Sequence, residues 1–412
     1  MIKKIIFSAV VLATLTQISI AQTKLKTGIW RGALKNAAGQ EIPFNFDVTN
    51  TGNKQELAII NSTERFKVTN VTGKGDSVFI KMPLFDSEFK LTQTGDKLQG
   101  QFIKHLADKD VPVEFTATAA TPYRFFKDAE KPAFNVTGRW SAIMGEGDGR
   151  DTTVGEFKQA GAKVTGTFLT TTGDYRFLEG TVAGNQLYLS CFDGGHAFLF
   201  TAKIEDDNTL SDGKFYSGAT GIDVWTAVRS EYAKLPDAYS LTALKPGYKK
   251  LDFNFKDLTG KPVSLNDDRF KNKVVIVQIL GSWCPNCMDE TAYMVNYYKK
   301  YHPKGVEIVG LAYERTTDFG RSQKTLAQLK NRFDIKYPLL ITGYTSNKLE
   351  TAKSLPMLSK IVGFPTTIII DKTGDVRKIH TGFSGPGTGN YYTEFISEFE
   401  KLTDDLLAEK SK

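Results

Sequence analysis

The chain has 412 residues, 41% of them hydrophobic and 24% charged, which supplies apolar material for several packed domains and excludes wholesale disorder. The formal charge of +7 is spread thinly, with no run of five consecutive Lys or Arg, so nucleic-acid binding has no support. Three cysteines, Cys191, Cys284 and Cys287, are too few for a disulfide scaffold of this length.

The N-terminus reads as a secretory signal peptide over residues 1–21. Lys3 and Lys4 precede a short apolar run at 5–15, and Ser19-Ile20-Ala21 offers the small residues of a cleavage site before Gln22. An apolar run of about eleven residues is too short to cross a bilayer, and no later run approaches spanning length. The expectation is an exported protein without stable membrane insertion, periplasmic or otherwise extracytoplasmic, where disulfide chemistry is live.

From about residue 25 to 230, short β-type runs alternate with turns such as Thr94-Gly95-Asp96 and Ala183-Gly184-Asn185. Thr27-Gly28-Ile29-Trp30 recurs as Thr137-Gly138-Arg139-Trp140, and Leu98-Gln99-Gly100-Gln101-Phe102 is echoed at Leu210 to Phe215. This self-similarity predicts a duplicated all-β half, with units at 22–125 and 126–232, each an antiparallel barrel or sandwich. Two separate barrels and one fused β domain are both open. The Gly-x-Trp opening resembles the first strand of lipocalin-like barrels, and its Trp reads as a plug in the β core rather than a ligand site. Cys191, behind an apolar run, reads as a free buried thiol.

Residues 233–250, with Pro236, Pro246 and Gly247, read as a linker. The pattern then changes over 251–412. Strands are expected at 274–280, 306–312 and 337–341, helices at 286–301, 325–333 and 349–361. A hairpin at 366–380 turns on Asp371-Lys372-Thr373-Gly374, and a helix closes the chain at 391–407. Alternating strands and helices predict an α/β sheet covered on both faces.

Trp283-Cys284-Pro285-Asn286-Cys287 stands where the strand at 274–280 hands over to a helix. A thiol in the first helical turn faces unpaired backbone N–H groups and the positive end of the helix dipole, which favour a negative charge on sulfur. Thiolate is the nucleophile of disulfide exchange, and a second Cys three residues on lies on the same helix face. Cys284 is therefore expected as the exposed attacking thiol and Cys287 as the more buried resolving thiol. His105, His196, His302 and His380 lack metal-ligand spacing, so no metal or other cofactor is expected.

Trp-Cys-x-x-Cys after a buried strand, with Gly363-Phe364-Pro365-Thr366 downstream, resembles the thioredoxin superfamily. The finer resemblance, over about 245–408, is to TlpA-like periplasmic thiol-disulfide oxidoreductases. It implies a thioredoxin-like fold, with Pro365 as a cis-proline facing the dithiol. It also implies an acidic residue below the dithiol, where this chain has Glu290; a proton shuttle and a solvent-facing helix carboxylate are the two readings of that residue. The chain departs from thioredoxins proper at Gln278, where they carry a buried Asp, and this moves weight onto Glu290. The implied activity is reduction or isomerisation of protein disulfides. The implied partners are protein thiols and disulfides, together with an unidentified membrane or periplasmic electron donor. A neutral Asn286 between the cysteines argues against a strong oxidant. The loop Ser384-Gly385-Pro386-Gly387-Thr388-Gly389 reads as a flexible rim of the redox face. Two other readings are a thiol peroxidase and a ligand- or partner-binding β module with an accessory redox domain.

Overall fold

Both β units are meanders whose first strand pairs with their last. In the computed structural model, which describes residues 24–52 and 54–410, the first unit is a nine-stranded antiparallel sheet. Its first strand, Gly28–Lys35, lies between Glu41–Thr51 and Asp110–Ala119. The ladder is interrupted between Glu64–Val68 and Asn70–Lys74, which are consecutive in the chain. In the second unit eight strands close a ring. Gly138–Met144 pairs with Gly221–Arg229, and Asp151–Ala160 with Lys163–Thr170, which pairs in turn with Leu178–Ala183. The expected signal segment lies outside the described residues.

The duplication extends to side-chain chemistry. Trp30 and Trp140 are both fully buried, and each indole N–H donates to a carbonyl four residues earlier, Lys26 O at 2.8 Å and Val136 O at 3.0 Å. A buried indole needs such a partner, and the chain just before each Gly-x-Trp supplies it. The second barrel is filled by its own aromatics: Phe168 packs on Phe200 at 4.8 Å and on Trp225 at 5.1 Å. Cys191 is a buried free thiol whose acidity is suppressed, first of all by burial.

The C-terminal region forms a seven-stranded sheet. Its strands are β1 (Asn254–Asp257), β2 (Pro262–Ser264), β3 (Val274–Leu280), β4 (Val306–Glu314), β5 (Leu339–Thr345), β6 (Thr366–Ile370) and β7 (Val376–Thr381), in the order β2-β1-β5-β4-β3-β6-β7. β3, β4 and β5 are parallel, and β6 runs antiparallel to β3. Every residue of β3 and β4 is buried, as expected for strands covered on both faces. The helices are α1 (Pro285–Tyr301), α2 (Phe319–Phe333), α3 (Lys348–Ser354) and α4 (Asn390–Ala408). An all-β half followed by a thioredoxin-like α/β domain is the architecture.

Two expected helices have different lengths. α2 starts six residues before the expected 325, because Asp318 caps it by accepting from the Arg321 N–H at 2.6 Å. The helix expected at 349–361 stops at Ser354, because Pro356 cannot continue it and disfavours helical backbone at Leu355. The residues beyond fold inward as turns, burying Leu355, Leu358 and Ile361. The segment at 233–250 does not hang free: Lys245 N–H donates to Met357 O, and Thr381 N–H to Ala238 O.

Candidate active site

β3, paired on both sides, delivers the chain to Trp283 and Cys284 at the carboxyl end of the parallel strands. Cys284 is the N-cap of α1, and Pro285 occupies the first helical position, where its missing N–H costs nothing. The Cys287 N–H donates to Cys284 Sγ at 3.2 Å, so a helix-terminal donor is aimed at this sulfur. Both cysteines are free thiols. Cys287 is fully buried, and its thiol is pushed well above the ordinary value by burial and by Cys284.

Cys284 departs from expectation. Its exposure is only 4%, so it is not an open thiol at the surface. Trp283 and Phe364 pack edge to face at 5.4 Å beside it, and the Phe364 carbonyl accepts from its Sγ at 3.6 Å. A hairpin of the second β unit packs beside this site. Its short strand Gly173–Asp174 lies against the motif, and Asn286 pairs with it as another strand would. With its amide turned so that both ends find partners, Asn286 donates to Asp174 O at 3.0 Å and accepts from Asp174 N–H at 3.2 Å. A Cβ added to Gly363 would sit 2.2 Å from Thr172 Cγ2, and one on Gly173 would sit 2.0 Å from the Asn286 side-chain amide. Glycine at these two positions lets the hairpin approach.

Phe364–Pro365 is a cis peptide bond, at the start of β6. Glu290 does not face solvent. It is fully buried, accepting from Gln278 Nε2 at 2.8 Å and from Thr367 Oγ1 at 2.6 Å. Burial pushes its carboxyl up to about 7 against the lowering effect of those two bonds. Gln278 also donates to Thr291 Oγ1 at 3.2 Å, so the amide that replaces the thioredoxin Asp acts as an anchor for Glu290. Trp283 is fixed by its indole N–H, which donates to Tyr313 O at 3.0 Å.

Over residues 245–394 the sequence matches the Redoxin family. A "Thiol-disulfide oxidoreductase ResA" of Geobacillus thermodenitrificans is 31% identical over 141 residues, covering 34% of this chain and 72% of the relative. The chain belongs to the thiol-disulfide oxidoreductases. A Bacillus cereus protein of the same name is 29% identical over 160 residues, covering 39% of this chain and 78% of the relative. Among solved structures, a putative thiol:disulfide interchange protein DsbE from Chlorobium tepidum is 24% identical, covering 38% of this chain and 98% of its own, with a TM-score of 0.29.

Several groups around the site of this oxidoreductase escape sequence reasoning. Glu314, at the end of β4, accepts from Ser282 N–H at 2.8 Å and Ser282 Oγ at 2.6 Å, bracing the residue before Trp283. Arg315 stacks on the Trp283 ring at 4.9 Å. Arg176, from the second β unit, reaches Asp289 on α1 and also pairs with Glu64 of the first unit. The Gly-rich rim loop is tied to the same hairpin, since Gly385 N–H donates to Asp174 Oδ2 at 2.7 Å. Among the described residues no group of three or more His, Cys, Asp or Glu is placed to hold a metal ion, and no helix is long and apolar enough to cross a membrane.

Proposed function

We propose that the protein is an extracytoplasmic reductase or isomerase of disulfides, acting through Trp283-Cys284-Pro285-Asn286-Cys287. The observation that carries this reading is the hydrogen bond from Cys287 N–H to Cys284 Sγ at the start of α1. That bond favours negative charge on the attacking sulfur and holds the resolving residue one helical turn away. Cys284 attacks a substrate disulfide and forms a mixed disulfide; Cys287 then attacks Cys284 Sγ and releases the second substrate thiol. Cys287 must lose a proton that its burial makes hard to lose, and Glu290, also buried and poised near neutrality, is the group we assign to take it. Pro365 and the Phe364 backbone form the rest against which a substrate chain lies, and Trp283 walls the sulfur. Protein thiols and disulfides are the substrate class that the family resemblance implies, with an unidentified membrane or periplasmic donor restoring the dithiol. The export reading rests on the signal pattern at 1–21.

Cys287→Ser protein, reduced and then offered a disulfide-bonded protein such as insulin, is expected to accumulate a mixed disulfide at Cys284, seen by mass spectrometry. Cys284→Ser is expected to form none. An adduct that persists at Cys287 in the latter variant, with none at Cys284 in the former, would reverse the assignment. A wild-type protein with no measurable two-electron couple in dithiothreitol buffers would end the redox reading.

A further inference from the structure

Trp283, which precedes Cys284, has a second neighbour besides the hairpin side of the site: a cleft that it shares with the first β unit. This open cleft, with about 60 Å³ of enclosed space, lies between the first β unit and the redox domain and ends at Ser282 and Trp283, the residues just before the sulfur. The walls are partly apolar, with Leu84, Phe85 and Trp283 among them.

The charges of this cleft do not cancel. Its two carboxylates are already engaged. Asp86 is held by Lys324 at 3.1 Å, with Arg321 at 4.0 Å. Glu314 is bonded to Ser282 and Thr325, and burial drives it toward its neutral form. Two cations are left over. Arg315 lies on the Trp283 face and has no ion pair or hydrogen bond among the described residues. Lys104 donates from Nζ to Gly195 O at 2.7 Å and has no carboxylate within ion-pair distance among the described residues. Burial, and after it the Arg315 charge, push Lys104 down to about 8 against the raising pull of Asp193. Arg315 is close enough to Cys284 for the sulfur's charge to favour its cationic form.

We propose that this cleft selects small, carboxylate-bearing disulfides, which reach Cys284 while the β half stays docked. This deepens the proposed function and rests on it. The substrate carboxylate sits between Arg315 and Lys104, and its disulfide extends past Trp283 to Cys284. Cys284 thiolate attacks one sulfur, the substrate S–S bond breaks, and one thiolate leaves and takes a proton from water. Cys287, deprotonated, attacks Cys284 Sγ and expels the second thiolate. The protein dithiol loses two electrons to become a disulfide, and the substrate disulfide gains them to become two thiols. The protein starts reduced, so a single turnover needs no further reductant.

The test uses full-length reduced protein and single-turnover kinetics, with Trp fluorescence as the signal. Three disulfides of similar size are compared: dithiodipropionate (two carboxylates), bis-hydroxyethyl disulfide (neutral) and cystamine (two ammonium groups). Each rate is divided by that of the same disulfide with dithiothreitol, which removes intrinsic reactivity. The expected order is anionic, then neutral, then cationic, with a step of roughly tenfold from neutral to anionic at low salt, as one charge-assisted contact would give. Added salt should shrink the step, and so should Arg315→Gln or Lys104→Gln. Equal corrected rates for all three disulfides in wild type would overturn the cleft proposal and leave the redox reading standing. So would insulin reduction by a protein that ignores dithiodipropionate. Failure with insulin and with every small disulfide would overturn both.

Discussion

Arg176 donates from Nη1 to Asp289 Oδ2 at 2.5 Å, which joins the second barrel to the helix that carries Cys287. Glu64 pairs with the same guanidinium, and Asp193 lies 4.0 Å away, so three carboxylates surround one buried cation. Burial alone would lower the Arg176 guanidinium; the charges of Asp289, Glu64 and Asp193 outweigh it and hold Arg176 well above its ordinary value. One side chain thus ties together both β units and the redox domain.

Removing that cation leaves the carboxylates buried and uncompensated. Arg176→Met is expected to cost about 3–5 kcal/mol, the usual penalty for breaking a buried pair from one side. The double variant Arg176→Met/Asp289→Asn should recover part of the loss, because it also removes a stranded charge. Chemical denaturation of the three proteins measures this. A single variant as stable as wild type would show that the cluster does not hold the domains together.

The hairpin at the dithiol can be displaced without touching the cysteines. Gly173 has φ +144°, and any side chain there meets the Asn286 amide at 2.0 Å and Phe383 O at 2.9 Å. Gly173→Val is expected to push the strand off Asn286 and expose Cys284. Alkylation of Cys284 by a bulky maleimide should then speed up severalfold, and reduction of insulin should rise with it. Unchanged alkylation with intact folding would show that the hairpin does not limit access.

The dithiol and its frame were legible because each signal is local. Cys284 and Cys287 are three apart, the strand and helix that flank them have clear periods, and Gly363 to Thr366 precedes a β-branched run. The docking surface was not legible. Arg176 and Asp289 are 113 residues apart, and no periodicity in either segment announces the pairing. For the same reason the burial of Cys284 was not legible: the strand Gly173–Asp174, which lies against its motif at Asn286, comes from the other half. The contact of the Asn286 amide with a strand edge was equally silent in the sequence, where only its lack of charge could be read. The Gly-x-Trp repeats succeeded because a duplicated motif is visible without knowing its contacts.

Those repeats also predict where the β half is weakest. Trp140 is fully buried in the closed barrel, its ring capped by the Arg229 guanidinium at 4.4 Å. Trp140→Ala opens a cavity among rigid aromatics and removes the partner of Val136 O, so the expected loss is about 3–5 kcal/mol. Trp30→Ala should behave alike in the first unit. Denaturation followed by far-UV circular dichroism tests both. Near-neutral substitutions would mean that these Trp side chains are replaceable, and the plug reading would fail.

Glu290 makes stability depend on pH in a direction opposite to that of most carboxylates. Its folded-state value is raised to about 7 from an ordinary 4.5, first of all by burial. The folded protein therefore binds this proton more tightly than the unfolded chain does. The associated stability is fully present below pH 4.5 and is lost as pH rises through about 7. The gap corresponds to about 3 kcal/mol for a fully buried group. Glu290→Gln keeps the shape and can still meet Gln278 and Thr367, but it has no proton to lose. The variant should gain on wild type steadily between pH 4.5 and 7 and keep a constant lead above that. If Glu290 also takes the Cys287 proton, the same variant resolves its mixed disulfide more slowly at pH 8, where wild-type Glu290 is a competent base. A variant that is stabilised yet resolves at the wild-type rate would confine Glu290 to a structural role.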